Sequence, residues 1–154
     1  MECRVTSKPY LGMVVIKETD WQVAFAVCKE IPEFDPPYPR SKWRDRLTGR
    51  HFLCLVAYEG DAAIGCKVGY PEDGYFYSWV GGVLPGFRKR GVARNLADEM
   101  ERILRIRGFS VLRMKTQHRF AAMLTFAQGN GFELIEEQHN DGGPHVKIVL
   151  EKKL

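Results

Sequence analysis

Cysteine is scarce in this chain of 154 residues: there are four, Cys3, Cys28, Cys54 and Cys66, and no two form a C-x-x-C pair. That excludes a zinc knuckle and a dithiol redox motif, and reads as reduced thiols in a cytoplasmic protein. Histidine is as sparse, and His51, His118, His139 and His145 lack zinc-ligand spacing, so no metal is expected. Long apolar runs are missing too. Phe52 to Tyr58 and Phe120 to Ala127 fall far short of the roughly 20 residues that span a bilayer, so no membrane association is expected. The apolar run from Tyr10 is stopped by Lys17, which argues against a signal peptide. There are no internal repeats. Neither G-x-G-x-x-G nor the Gly-Lys-Ser/Thr ending of a nucleotide-hydrolysing loop is present, which disfavours a nicotinamide cofactor and a magnesium-bound triphosphate. Neither sign of charge dominates: 23 basic residues stand against 19 acidic ones, a net +4 too small to indicate nucleic acid by itself.

What remains is an ordinary globular composition, 45% hydrophobic, 27% charged and 12% aromatic, at a length suited to one domain over residues 1–154. Met13 to Ile16 reads as a strand, followed by a helix capped by Thr19 or Asp20 and carrying Trp21, Phe25 and Val27. Four prolines between Ile31 and Pro39 preclude regular helix or central strand and predict a rigid, aromatic-bearing loop. A short helical piece follows around Ser41 to Leu47. Strands are predicted over Phe52 to Tyr58, Ala62 to Tyr70 and Tyr75 to Leu84, joined by turns at Glu59-Gly60-Asp61 and Pro71-Glu72-Asp73-Gly74. Val92, Leu96, Met100, Ile103 and Leu104 then share one helical face, with Asp98–Arg102 and Glu101–Arg105 as i,i+4 pairs on the other, and Gly108 ends the helix. Strand Val111 to Thr116, helix Arg119 to Gln128, strand Phe132 to Glu137, a turn at Asn140 to Gly143 and strand Val146 to Leu150 complete the chain. The predicted class is α/β (α+β), a mixed, mostly antiparallel sheet flanked by helices. Chemistry is expected where the antiparallel strands hand over to a parallel one.

That handover coincides with Val80-Gly81-Gly82-Val83-Leu84-Pro85-Gly86-Phe87-Arg88-Lys89-Arg90-Gly91-Val92-Ala93: a glycine-interrupted strand, a basic loop and a helix start. A helix N-terminus offers unpaired N–H groups and positive dipole to a phosphate, Gly91 permits close backbone approach, and Arg88, Lys89, Arg90 and Arg94 supply charge. These four cations equal the whole net charge of the chain.

The same run resembles the GNAT superfamily of N-acetyltransferases. Arg88-x-x-Gly91-x-Ala93 matches its R/Q-x-x-G-x-G/A signature, Val83-Leu84-Pro85 the V-x-P before it, and Gly131-Phe132 the Gly-Phe that ends its last helix. The resemblance covers about Met13 to Leu150. It implies acetyl-coenzyme A as co-substrate, with the pyrophosphate on the N–H groups of Arg88 to Ala93 and the pantetheine arm along Gly82, Val83 and Leu84. It also implies direct attack of an acceptor amine on the thioester, with the Val83 N–H as oxyanion donor.

Two positions depart from the family. Ala127 stands where many members carry a tyrosine that protonates the thiolate, and Phe120 where an asparagine is common, with His118 the nearest polar residue. Some relatives use a glutamate base on the strand before the loop, and counting from the signature puts Tyr77 at that position. Tyr77 and His118 are therefore the candidate catalytic residues, Tyr77 to bind the acceptor or orient a water and His118 as the group that titrates near neutrality. Phe34, Tyr38, Tyr75, Tyr77 and Trp79 are expected around the acceptor, and Glu33 and Asp35 as attractors of a cationic amine.

The implied partner is a small-molecule or peptide amine, acetylated by a monomer or homodimer. The missing tyrosine and glutamate motivate a second reading, a non-catalytic coenzyme A-binding sensor or regulatory module. A nucleic-acid face at Arg102, Arg105 and Arg107 is opposed by the interleaved Asp98, Glu99 and Glu101.

Overall fold

The computed structural model describes residues 13–139 and 146–154. Strand β1 (Val14–Glu18) leads into α1 (Trp21–Cys28), whose first N–H is taken by the Asp20 carboxylate at 2.9 Å. The proline loop holds one 3-10 turn, Pro32–Phe34, and α2 (Arg40–Leu47) follows. Strands β2 (Leu53–Glu59), β3 (Ala62–Glu72) and β4 (Tyr75–Val83) form the meander. Helix α3 (Val92–Ile106), β5 (Val111–Gln117), α4 (Ala121–Gly129), β6 (Glu133–His139) and β7 (Val146–Lys153) complete the order.

The seven strands make one sheet in the order β1-β2-β3-β4-β5-β7-β6, antiparallel everywhere except between β4 and β5. This is the mixed, mostly antiparallel sheet expected from the sequence. On one face α3 lays Val92, Leu96, Met100 and Leu104 over Leu53, Leu55, Phe76 and Leu112, because its apolar positions recur at helical spacing. On the other, α1, α2 and Ile31 from the proline loop cover Val56, Cys66, Val68 and Trp79. Trp43 at its centre is 1% exposed and stacks among Trp21, Phe25 and Trp79.

Several local expectations need correction. Pro71 and Glu72 pair with Phe76 and Tyr75, so the turn is Asp73-Gly74 alone, with Gly74 at φ +87°. Arg102 binds Glu99 at 2.7 Å in place of Asp98, which lies 3.9 Å from Arg94. Glu101 does contact Arg105, yet it belongs to the buried side of α3 and its closer partner is Lys152 of β7 at 2.9 Å. Helix α4 starts at Ala121 because Arg119 and Phe120 still belong to the preceding turn. Cys3 and the turn at Asn140 to Gly143 lie outside the described residues. Cys28, Cys54 and Cys66 are free thiols.

One irregularity shapes the site. The β3–β4 register slips between Val68 and Gly69, so that Val68 faces Val80 and Gly69 faces Ser78, leaving Trp79 as an extra residue. A Cβ on Gly69 would collide with the Tyr77 carbonyl and the Phe76 ring, so glycine is what admits the bulge. Trp79 and Val80 both end up on the α1/α2 face.

Candidate active site

The bulge separates the two parallel strands. β4 runs nine residues and β5 seven, yet they pair only through Phe76–Leu112, Tyr77–Arg113 and Ser78–Met114. Beyond Ser78 the strands part, and β4 from Trp79 to Val83 keeps a strand neighbour only on the β3 side.

The direction of the freed backbone groups follows from strand alternation. Leu84 N–H donates to the Ile64 carbonyl at 2.8 Å, on the β3 side. Successive residues point their amides to opposite edges, so the Val83 and Gly81 amides face the gap that β5 has left. The Val83 carbonyl confirms this polarity, since it accepts from Arg88 Nε at 2.8 Å across that edge. A Cβ at Gly82 would sit 2.6 Å from Ile31 Cδ1, and one at Gly81 would touch Lys67 Cγ at 3.4 Å. The paired glycines let the proline loop close on one side of β4 and Lys67 pass under the other. Burial pulls the Lys67 ammonium pKa down, and the nearby Glu101 carboxylate works in the opposite direction.

After a 3-10 turn at Pro85–Phe87, Lys89 and Gly91 both take left-handed backbone, at φ +64° and +83°. This turns the chain sharply into α3, with Gly91 as N-cap and no side chain satisfying the helix end. Among the described residues the first N–H of α3 with a backbone acceptor is that of Asn95, bonded to Gly91 O at 2.9 Å. The N–H groups of Val92, Ala93 and Arg94 therefore point out of the helix end into the loop.

The charges around this cradle are distributed differently from the sequence reading. Arg88 does not offer its guanidinium to the loop: it binds both oxygens of Glu33, at 2.9 and 2.8 Å. Glu33 is accordingly committed to Arg88 and does not stand ready for an amine. The guanidinium holds the Glu33 carboxyl below its ordinary range. Arg90 lies 3.8 Å from Glu59 and over the Phe87 ring, and Arg94 bonds Asn130 Oδ1 at 2.9 Å. Lys89 has no acidic partner among the described residues.

Tyr77 and His118 are not neighbours. Tyr77 lies beside Arg113 of β5, and His118 comes five residues further on, about 16 Å along the strand at ~3.3 Å per residue. His118 follows the last residue of β5, Gln117, beyond the point where β5 has parted from β4. His118 is exposed, with Nε2 3.6 Å from Glu137. The Tyr77 ring packs edge-on against Tyr70, 5.5 Å between centroids, and burial pushes its phenol up to about 12. A phenol so shifted holds its proton throughout neutral pH. Ala127 is fully buried against the α3-side core, so no proton donor stands at that position. Tyr38 stacks on Trp79 at 5.7 Å, and Arg46 lies 5.1 Å from the same Trp79 ring.

Sequence reasoning missed Arg46, Tyr70, Lys67 and Glu101. The first had a signal: Lys42, Arg46 and Arg50 recur at i, i+4 and i+8, a basic stripe along α2 and beyond. Glu101 gave none, because an acid on a charged helix reads as solvated. Among the described residues no three His, Cys, Asp or Glu side chains are grouped to hold a metal.

A family model described as the acetyltransferase (GNAT) family matches residues 12–132. No curated protein matches the sequence at a significant level. Among solved structures, the ribosomal-protein-S18-alanine N-acetyltransferase from Escherichia coli superposes with a TM-score of 0.80 at 15% identity, over 92% of this chain and 94% of that one. A GNAT family acetyltransferase from Elizabethkingia anophelis with acetyl-CoA bound gives 0.73 at 19% identity, over 93% and 99%. The PaiA N-acetyltransferase from Thermoplasma acidophilum in complex with coenzyme A gives 0.71 at 16% identity, over 92% and 99%. At these identities the likeness is one of fold.

Proposed function

Because the chain belongs to the GNAT acetyltransferase family, we propose that it moves an acetyl group from acetyl-coenzyme A to a primary amine of a small molecule or peptide. The observation that carries this reading is the parting of β4 from β5 beside an uncapped helix N-terminus. The chain's own atoms fit the group. The N–H groups of Val92, Ala93 and Arg94 suit a pyrophosphate, with Lys89 and the Arg88 to Gly91 backbone around it. The gap-facing amides of Gly81 and Val83, together with Gly82 and Leu84, suit an extended arm lying against β4 like an added strand.

Acetyl-coenzyme A supplies a thioester, and the chain's part is to orient the amine against it and stabilise the charge that develops. Val83 N–H, aimed into the gap, is the donor for the oxyanion. Tyr77 holds the acceptor as a protonated phenol and does not act as a base. His118, backed by Glu137, takes up the released proton through intervening water. Neither Ala127 nor Phe126 can protonate the departing thiolate, so solvent reaching the open gap does so. Orientation alone can supply roughly 7–11 kcal/mol in well-positioned systems, enough for a site with few acid-base groups. The free thiols suit a reducing, cytoplasmic setting.

The second reading, a coenzyme A-binding sensor or regulatory module, draws on the buried Ala127 and on Tyr77 in place of a carboxylate. Calorimetry with acetyl-coenzyme A followed by a thiol-release assay over a panel of amines separates the two. Binding with turnover is expected; binding with no turnover on any amine establishes the module.

A further inference from the structure

Beyond the nature of the reaction lies the nature of the acceptor, and this inference rests on the acyl-transfer reading above. The α2 face of the sheet, on the side opposite α3, is both aromatic and cationic. Arg46 donates to the Tyr70 hydroxyl at 3.1 Å and lies 5.1 Å from the Trp79 ring, while Lys42 stands 4.2 Å over Tyr38. Lys115 of β5 lies 5.7 Å over Tyr77 itself, and Arg113 4.3 Å over Tyr75. A cavity of about 540 Å³ opens beside these groups, lined by Lys42, Arg46, Arg50 and Tyr70 together with the carboxylates of Asp45 and Glu72. Its volume is that of a small-molecule site.

The balance of charge decides what fits. Glu72 is bound by Arg50 at 3.2 Å, Asp45 faces Arg44 at 3.6 Å, and Glu151 is bound by Arg113 at 2.8 Å. Among the described residues Lys42, Arg46 and Lys115 have no carboxylate partner. The pKa of the Lys42 ammonium is drawn down by burial first, then by the charges of Arg46 and Lys147. Burial and neighbouring positive charge thus act together on Lys42.

We propose that the acceptor is an amine that also carries a carboxylate or phosphate, its anionic end held by Lys42 and Arg46 and its amino group directed past Tyr70 and Tyr77 to the β4–β5 gap. A polyamine would meet net repulsion here. The same positive surroundings lower the pKa of an ammonium brought among them, so the acceptor arrives as free amine without a carboxylate base. This accounts for a tyrosine, held protonated, at the place where a glutamate would serve.

The test uses the whole protein with saturating acetyl-coenzyme A and matched acceptors: glutamate against its diamide, phosphoethanolamine against ethanolamine, an acidic tripeptide against its fully amidated counterpart, and spermidine. The anionic member should be preferred by about tenfold or more in kcat/KM, through KM, with the preference shrinking as salt rises. Arg46→Glu and, independently, the surface substitution Lys42→Glu should cut or reverse that preference while leaving acetyl-coenzyme A affinity unchanged. Glutarate or inorganic phosphate should raise the melting temperature of the wild type and not of either variant, a readout that needs no turnover. Faster transfer to neutral amines or spermidine, or a preference untouched by both variants, overturns the acceptor proposal and leaves acyl transfer standing. Anion binding at Arg46 without turnover of any amine overturns acyl transfer instead, and the acceptor assignment with it. Preference for the tripeptide over glutamate assigns the anion to a peptide.

Discussion

Arg88 spans two chain segments: its Nε donates to the Val83 carbonyl at 2.8 Å and its two terminal nitrogens to Glu33 at 2.9 and 2.8 Å. The residue that opens the phosphate-loop signature therefore ties the end of β4 to the proline loop. Glu33→Gln should lower stability at neutral pH by less than about 1 kcal/mol, because the pair is exposed to solvent. The Glu33 pKa is depressed below 4.5 in the folded state. Its contribution is hence fully present above about pH 4.5 and lost as pH falls through the lowered value. Melting temperatures of wild type and variant should converge in that acid range; a constant gap would show that charge is not the cause.

Gly91 combines a left-handed φ of +83° with the N-cap of α3. Gly91→Ala should cost about 1 kcal/mol of stability through backbone strain alone. Gly91→Glu should add to this a weakening of acetyl-coenzyme A binding by tenfold or more, from bulk and negative charge at the helix end. Calorimetry on both variants separates strain from charge, and equal affinities would remove the cradle assignment.

Tyr77 is shifted from 10.0 to about 12 by burial. A raised folded pKa means stability fully present below pH 10 and lost as pH rises through about 12, so the wild type should lose stability relative to Tyr77→Phe over that window. The rate–pH profile of transfer should show no limb that vanishes in Tyr77→Phe below pH 10. Finding one would make Tyr77 a base after all.

Glu101 is 5% exposed and holds Lys152 at 2.9 Å and Arg105 at 3.4 Å from the buried side of α3. Glu101→Ala should destabilise by about 3 kcal/mol, since it strands the Lys152 and Lys67 charges near the core. Adding Lys152→Met should recover part of the loss. Urea unfolding of both variants measures it, and additive losses would mean that the two side chains are not coupled.

The local elements were legible because each has a local cause. Proline density defined the loop before α2, the i, i+3, i+4 recurrence of Val92, Leu96, Met100, Ile103 and Leu104 defined α3, and Gly91 with its basic flank defined the cradle. The direction of the Val83 amide was not legible, because it depends on the parity of a strand containing a bulge at Gly69 and Trp79. Nor was the acceptor face: Lys42 and Arg46 come from α2, Tyr70 from β3 and Lys115 from β5, and only sheet order assembles them.

By itself the sequence determined the order of strands and helices, the parallel step between β4 and β5, and the family, since hydrophobic period, capping and a glycine-bound loop act over a few residues. Tertiary structure decided the partner of each charge. Arg88, whose place in the signature suggests a phosphate ligand, is bound to Glu33, Glu101 on a charged helix is buried, and the basic stripe of α2 gains meaning only where folding lays it over Tyr70 and Trp79. Charge pairing is a short-range matter in space, and residues 55 apart in the chain, like Glu33 and Arg88, meet only when the fold brings them within hydrogen-bond reach.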